Sequence, residues 1–370
     1  MKYNAVATCL FSLEKIVEFE LTKAGAKNLK VDNGRVFFTA DSYVLAKANI
    51  YSRTAERILI ILHRFNALDF DTLFEQTKSI NWAGIINRND AFPIKGYSID
   101  SQLSSVPAMQ SVVKKAVVEK LKTYYGIATF SEDGDIVKAI RFSMIKNECL
   151  IMLDTSGEGL HKRGYRRISA EAPIKETLAA GIVDIARVKD NSMVYDPFCG
   201  TATLLIEAAL KAKNMAPGIN RSFALERYSF IDTGVFDIVR EEAKDGVKKD
   251  ISFLARGSDI DEKVLSIAAI SAKKAGVEKL IHLEKADARN IEVEKEEIIV
   301  TNPPYGERMM SPKESELLLE SFFSNLLQEH YKGLYVISSN KAFETIVKRE
   351  ATKRRKIYNG MIECNLYMYY

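Results

Sequence analysis

The spacing of apolar positions divides this chain into a mixed first half and a strictly alternating second half. Residues 3–9 alternate as a strand, and 12–23 carry Leu13, Ile16, Val17 and Leu21 on one helical face, with Ser12 as the expected cap and Gly25 as the stop. Asn33-Gly34 between apolar runs predicts a hairpin, and a helix follows over 42–52. An Ile/Leu-rich strand is expected at 56–65, a short helix at 71–79 and a strand at 92–99. The helix over 107–125 places Met109, Val113, Ala116, Val117 and Leu121 at helical spacing, with Lys114, Lys115, Lys120 and Lys122 on its outer face. A further hairpin, 136–144 with 150–153, turns at Lys146-Asn147.

After residue 190 the pattern becomes regular. Strands are predicted at 193–195, 251–257, 281–285, 298–300 and 334–338, and helices at 203–213, 261–275, 314–329 and 342–349, preceded by one from 171 to about 187 with Pro173 in its first turn. Two last strands, 352–358 and 361–370, meet at Asn359-Gly360. Strand–helix alternation with a terminal hairpin implies a doubly wound, mainly parallel sheet with an antiparallel edge. The stretch 212–250 reads as an insertion with an extra helix.

Composition narrows the class. With 370 residues, 47% hydrophobic and 28% charged, the chain is long enough for two or three domains with real cores. A net charge of +4 permits a nucleic-acid partner without requiring one. Cys9, Cys149, Cys199 and Cys364 form no Cys-x-x-Cys pair, and the four histidines are equally scattered, so neither a metal site nor a disulfide framework is expected. Neither a signal peptide nor a membrane span is expected, which points to a cytoplasmic enzyme.

Candidate chemistry concentrates at strand ends. Residues 300–306, Val-Thr-Asn-Pro-Pro-Tyr-Gly, follow the apolar run Ile298-Ile299. Proline has no N–H to donate, so the ladder stops there, leaving an amide, two rigid carbonyls and an aromatic ring where open α/β sheets bind ligands. The Asn302 side-chain oxygen and the Pro303 carbonyl can each accept an N–H of an exocyclic amine, Pro304 holds them rigid, and Tyr305 offers a stacking face.

A second constellation sits between the first strand of the alternating half and its helix, from Tyr195 through Asp196, Pro197, Phe198, Cys199, Gly200, Thr201 and Ala202 to Thr203. Gly200 allows close approach of a ligand. Thr201 and Thr203 are expected to cap the next helix, whose free N–H groups favour a carboxylate, and Asp196 suits a cation. An amino acid bearing a sulfonium meets both demands. Neither a Walker A loop nor Gly-x-Gly-x-x-Gly is present, which disfavours triphosphates and dinucleotides. Asp259, beside Ile260, is the candidate ribose acceptor, displaced by the insertion from the usual position about 20 residues on; Asp261 is expected only to cap a helix. Asp287, beside Ala288, ends the third strand and could accept from an adenine amine. A basic run, His161-Lys162-Arg163-Gly164-Tyr165-Arg166-Arg167, suits contact with an RNA backbone.

These motifs, with Ala172-Pro173-Ile174-Lys175-Glu176-Thr177-Leu178 after the basic run, resemble those of class I S-adenosylmethionine-dependent methyltransferases acting on exocyclic amines. Taken with its N-terminal half, the whole chain is similar to THUMP-domain RNA methyltransferases, above all bacterial 23S rRNA guanine-N2 methyltransferases. The resemblance implies a ferredoxin-like unit (1–52), a THUMP domain (53–156) and a Rossmann-like catalytic domain (160–370). It implies that 196–203 line the methionine end of the cofactor, Asp259 the ribose and Asp287 the adenine, and that 302–305 hold the base. One departure stands out: Gly200-Thr201-Ala202-Thr203 replaces the common Gly-Ser-Gly-Thr, and Ala is costly wherever a positive φ is needed.

The expected reaction is methyl transfer from a sulfonium to a base amine, driven by orientation, with the base flipped out of its stack. Adenine-N6 methylation of DNA or RNA, tRNA guanine-N2 methylation, protein-glutamine methylation and a noncatalytic RNA-binding role are the competing readings; the basic run and the N-terminal half favour RNA.

Overall fold

Two seven-stranded sheets carry the chain. The structure is a computed structural model and describes residues 1–166, 174–304, 312–326, 330–360 and 362–370. Tyr305, Gly306, Arg167, Ala172 and Pro173 therefore lie outside the described residues.

The first sheet is built from β1 (Tyr3–Cys9), β2 (Lys27–Asp32), β3 (Arg35–Ala40), β4 (Ala55–Asn66), β5 (Ile94–Ile99), β6 (Ile140–Ile145) and β7 (Glu148–Asp154), in the order β2-β3-β1-β4-β7-β6-β5. Helices α1 (Glu14–Ala24), α2 (Ser42–Tyr51), α3 (Phe70–Lys78) and α4 (Val106–Tyr125) connect them. The hairpin turns at Asn33-Gly34, where Gly34 takes φ +68°, and α1 ends at Gly25 with φ +96°, both as the turn chemistry demands. Ser12 does not cap α1. It adopts φ +73°, and Leu13 takes the cap position without a side-chain bond. The long strand β4 pairs with β1 on one side and β7 on the other, so a single sheet runs across residue 52.

The second sheet has the order β10-β9-β8-β11-β12-β14-β13. Its strands are β8 (Met193–Asp196), β9 (Leu254–Asp259), β10 (Ile281–Lys285), β11 (Glu297–Thr301), β12 (Gly333–Ser338), β13 (Lys353–Asn359) and β14 (Ile362–Tyr369). The first five are mutually parallel and the final hairpin is antiparallel. Helices α5 (Glu176–Ile185), α6 (Thr203–Ala212), α7 (Val235–Asp245), α8 (Glu262–Ala275), α9 (Pro312–Leu326) and the single turn α10 (Phe343–Ile346) accompany it. Every strand and helix anticipated for this half is present among the described residues, with ends shifted by a few residues, while 171–173, 327–329 and 361 of the anticipated elements lie outside them. The exception in length is α10, expected over 342–349.

The insertion is a strut. Helix α7 lays Phe236, Val239 and Ala243 into the same apolar core as Ala48 and Ile50 of α2. Lys47 pairs with Glu242 at 3.0 Å, and Arg53 donates to the Met215 carbonyl at 2.7 Å. The N-terminal sheet is thereby bolted to the second half. Among the described residues no helix is long and apolar enough to cross a membrane.

Candidate active site

The parallel order places β8 between β9 and β11, so the chain leaves β8 in one direction and returns on its other side at β11. That reversal opens a crevice at the carboxyl ends of the strands, where ligands of such sheets bind. Asp196 ends β8, Asp259 ends β9 and Asn302 follows β11 directly. Three segments far apart in sequence thus meet because their strands are neighbours.

Asp196 is 1% exposed. Its Oδ1 accepts from Thr301 Oγ1 at 2.7 Å and from the Phe198 backbone N–H at 3.1 Å. Burial pushes its carboxyl up to about 7 against those two donors, and the nearby Asp259 adds to the rise. Asp259 accepts from the Gly200 N–H at 3.0 Å and so ties the loop after β8 to the end of β9. The Ala286 N–H in turn donates to the Asp259 carbonyl at 3.2 Å, bringing the third strand end into the same rim.

The loop itself is shaped for close approach. Gly200 has φ +52°, and a Cβ there would meet no atom within 4 Å, so the space beside it is open. Gly257 is crowded instead: a Cβ would fall 2.5 Å from Leu205 Cδ1 and 3.1 Å from Cys199 Cβ, so β9 passes close under α6. Pro197 and Phe198 turn the chain, and the Phe198 ring packs edge-on against Phe322 of α9 at 5.1 Å. The Cys199 thiol is buried and pushed above its ordinary range by desolvation, which suits packing and not nucleophilic work. Ala202 does adopt the left-handed conformation, φ +60°, and it occupies the cap position of α6. The expected capping by Thr201 or Thr203 is therefore corrected: α6 has no side-chain cap, and Thr203 Oγ1 instead accepts from Arg166 Nη2 at 2.8 Å.

Farther along the crevice, Ile260 is 67% exposed and helps line a shallow hollow with Lys263, Ser266 and Lys285. An exposed aliphatic beside a ribose-type acid fits the face of an adenine ring. Asp261 caps α8 as anticipated, accepting from the Lys263 N–H at 2.9 Å. Asp287 is held by its neighbour Arg289, accepting from both its backbone N–H and its Nε at 3.0 Å. The Arg289 side chain also keeps the Asp287 carboxyl below the usual range, so an adenine amine would share this carboxylate. Ala288 is buried beneath it. The open glycine turn, the acids and the apolar wall together fit a nucleoside joined to a zwitterionic amino acid.

On the other side of the crevice Asn302 is half-buried, Pro303 is buried and Pro304 is half-buried. The Pro304 carbonyl accepts from Ser315 Oγ of α9 at 2.7 Å, pinning the end of the loop.

The basic run is not the surface that the sequence suggested. The Arg163 side chain is 3% exposed and lies against Glu207 of α6, Nε to Oε1 at 3.3 Å. It also donates to the carbonyls of Leu160 and Arg53. Tyr165 donates to the same Glu207 at 3.0 Å. Arg166 is 14% exposed and donates to the Ile174 carbonyl and Thr203. A buried guanidinium must be paired, and these pairs lock the linker to α6. His161 is half-buried near Glu56, and among the described basic side chains of the run Lys162, 58% exposed beside Glu158, is the one that faces solvent. The overlooked signal is Glu207 itself, an acid inside the apolar helix segment Leu204-Leu205-Ile206-Glu207-Ala208, which requires a buried partner. Thr301 was likewise given no role from sequence.

Family models match nearly the whole length of the chain. Residues 163–368 match the RMKL-like methyltransferase domain, 4–59 the RlmL ferredoxin-like domain and 67–154 the THUMP domain. The chain is 40% identical to YpsC of Bacillus subtilis (strain 168) over all of this chain and 96% of YpsC. It is 32% identical to ribosomal RNA large subunit methyltransferase K/L of Shewanella sp. (strain ANA-3), covering 95% of this chain but only 50% of that longer protein. A Clostridium difficile 630 structure described as a possible methylase superposes with TM-score 0.94 at 38% identity, covering 100% of this chain and 98% of that one. SMU.472, solved in complex with SAH, superposes with TM-score 0.91 at 33% identity, covering 100% of this chain and 98% of that one. With its strand order, its crevice and matches along nearly its whole length, the chain belongs to the RMKL-like methyltransferase family, in the form that carries ferredoxin-like and THUMP domains.

Proposed function

We propose that this methyltransferase uses S-adenosylmethionine to methylate the exocyclic amine of an RNA base, with guanine N2 of 23S rRNA as its target and the cytoplasm as its setting. The observation that carries the reading is the placement of Asp196 and Asn302 at the carboxyl ends of adjacent parallel strands, β8 and β11, joined by the Thr301–Asp196 hydrogen bond. When bound, the cofactor supplies an electrophilic methyl group. Asp196, the Gly200 turn and the start of α6 hold its amino-acid end, Asp259 its ribose, and Ile260 with Asp287 and Ala288 its adenine.

Asn302 and the Pro303 carbonyl accept the two N–H bonds of the target amine and so aim its lone pair across the crevice. Tyr305 is assigned the stacking face for the flipped base. No dedicated base is needed, because the proton can leave to water once the nitrogen is alkylated. Orientation of this kind is worth about 7–11 kcal/mol of barrier in well-aligned reactions.

The N-terminal sheet, Lys115 of α4 and Lys162 are proposed to hold RNA by its backbone, with a steep loss of affinity in salt. Lys115 is 71% exposed, whereas Lys114 covers the Phe92 ring and pairs with Glu132. Arg163 and Arg166 belong to the fold and are withdrawn from that surface.

The test is single-turnover methylation with labelled cofactor and ribosomal RNA, read by nucleoside mass spectrometry. Asn302→Ala is expected to lower the rate by about 100-fold, the cost of misplacing a reacting group by roughly 1 Å, with cofactor affinity unchanged. A wild-type rate in that variant removes the amine-binding role. The same acceptor pair serves adenine N6, and the methylated nucleoside recovered distinguishes the two.

A further inference from the structure

We propose that Thr301 is a positioning residue of the methyl-transfer site: its hydroxyl orients the Asp196 carboxylate toward the cofactor and couples the cofactor strand to the loop that holds the base. The inference rests on the reading of Asp196 as a cofactor-binding acid.

The geometry isolates this contact. Thr301 is fully buried as the last residue of β11, and Asp196 is 1% exposed as the last residue of β8. Ladder pairing between the two strands brings Ile299 opposite Tyr195; beyond it, the 2.7 Å bond between Thr301 Oγ1 and Asp196 Oδ1 is a side-chain link at the crevice floor. The next residue after Thr301 is Asn302. Moving the hydroxyl therefore moves a cofactor ligand and a base ligand together.

Electrostatics assigns the hydroxyl a second task. Among the described residues, the titratable groups facing Asp196 are Asp259 from the end of β9 and Cys199 from its own loop. Asp259 opposes a negative charge on Asp196 by repulsion, and the Cys199 thiol, held neutral by burial, brings no positive charge to offset it. Arg256 on β9 is committed to Glu297 at 3.0 Å. Among the described residues, the Thr301 hydroxyl and the Phe198 N–H are thus the groups that favour the carboxylate before a cationic ligand arrives. A valine has the same branched shape without the donor.

The experiment is calorimetric titration of the full chain with S-adenosylhomocysteine at pH values on either side of about 7, the point to which burial raises Asp196. Wild type is expected to bind more tightly as pH rises through that value. Thr301→Val is expected to bind about tenfold more weakly at neutral pH, the loss of one hydrogen bond to a charged group, and to regain affinity only at higher pH. Thr301→Ser retains the hydroxyl and is expected to keep both affinity and profile. Thr301→Val with wild-type affinity and profile overturns the proposal. If Thr301→Val gives no cooperative unfolding transition, Thr301→Ser and Thr301→Ala decide: equal losses in both overturn it, and a loss confined to Ala supports it. Asp196→Asn separates the two claims. Undiminished binding in Asp196→Asn refutes the cofactor site itself, whereas loss there with none in Thr301→Val refutes only the positioning role.

Discussion

Asp154 and Asp196 are the same residue in the same local setting, each the last residue of a strand and each at most 1% exposed. Their partners differ completely. Asp154 accepts from Arg57 at 2.6 Å, from Arg141 at 2.7 Å and from the backbone N–H groups of Ser156 and Gly157 at 3.0 and 3.1 Å. Asp196 accepts from one hydroxyl and one N–H and faces another acid, and among the described residues no side-chain cation pairs with it. A buried carboxylate whose positive partners are built in serves the fold. One with no cation beside it among the described residues has, on the proposed reading, its positive partner in the cofactor, and its elevated proton affinity accords with that reading. The two sheets explain the contrast. β7 lies inside a largely antiparallel sheet whose neighbours supply arginines across the ladder, whereas β8 ends at a crevice between diverging parallel strands.

The largest effect expected from this comparison is on stability. Asp154→Asn leaves two guanidinium groups without their anion and should destabilise the protein by about 3–5 kcal/mol in denaturant titrations. Asp196→Asn should leave the unfolding midpoint unchanged or raise it, while removing the heat of cofactor binding. A loss of stability in Asp196→Asn as large as in Asp154→Asn would erase the distinction.

The pH dependence sharpens it further. A carboxyl whose folded pKa is raised binds more protons folded than unfolded, so its contribution to stability falls as pH rises. For Asp196 the window runs from its ordinary 3.8 to about 7. The stability advantage of Asp196→Asn over wild type should therefore grow across that window and level off above it, in thermal scans without cofactor. A flat difference would mean that Asp196 is already ionised at low pH.

The smallest effect concerns the loop beside Asp196. Ala202 at φ +60° bears strain of about 1–2 kcal/mol relative to glycine. Glycine there would lose a fully buried methyl worth about 0.8 kcal/mol and backbone entropy of about 0.5–1 kcal/mol. These oppose the relief, so Ala202→Gly should shift stability by less than about 1 kcal/mol, with cofactor affinity retained. A loss well beyond that in chemical denaturation would mean that the Ala202 methyl is an essential packing contact.

Much of the site was legible because short-range chemistry dictates it. Pro303 and Pro304 cannot extend a ladder, so Asn302 had to stand at a strand end. Asn33-Gly34, Gly25 and the Asp261 cap follow from backbone sterics and local hydrogen bonds. The alternation of strands and helices after residue 190 dictated a parallel sheet, and with it the edge on which Asp196, Asp259 and Asp287 gather.

Partner choice was decided elsewhere. Arg163 and Arg166 look like a solvent-facing basic run in sequence, but Glu207 and Thr203 take them inward once α6 packs beside the linker. The Thr301 hydroxyl gains its meaning from a carboxylate 105 residues earlier. The insertion's helix becomes a strut only because α2 presents the matching apolar face. Local sequence determines where a backbone turns and stops, since those energies act over a few residues. Which charges are buried, and against what, depends on distant segments arriving together and excluding water, and the difference between Asp154 and Asp196 exists only in that assembled state.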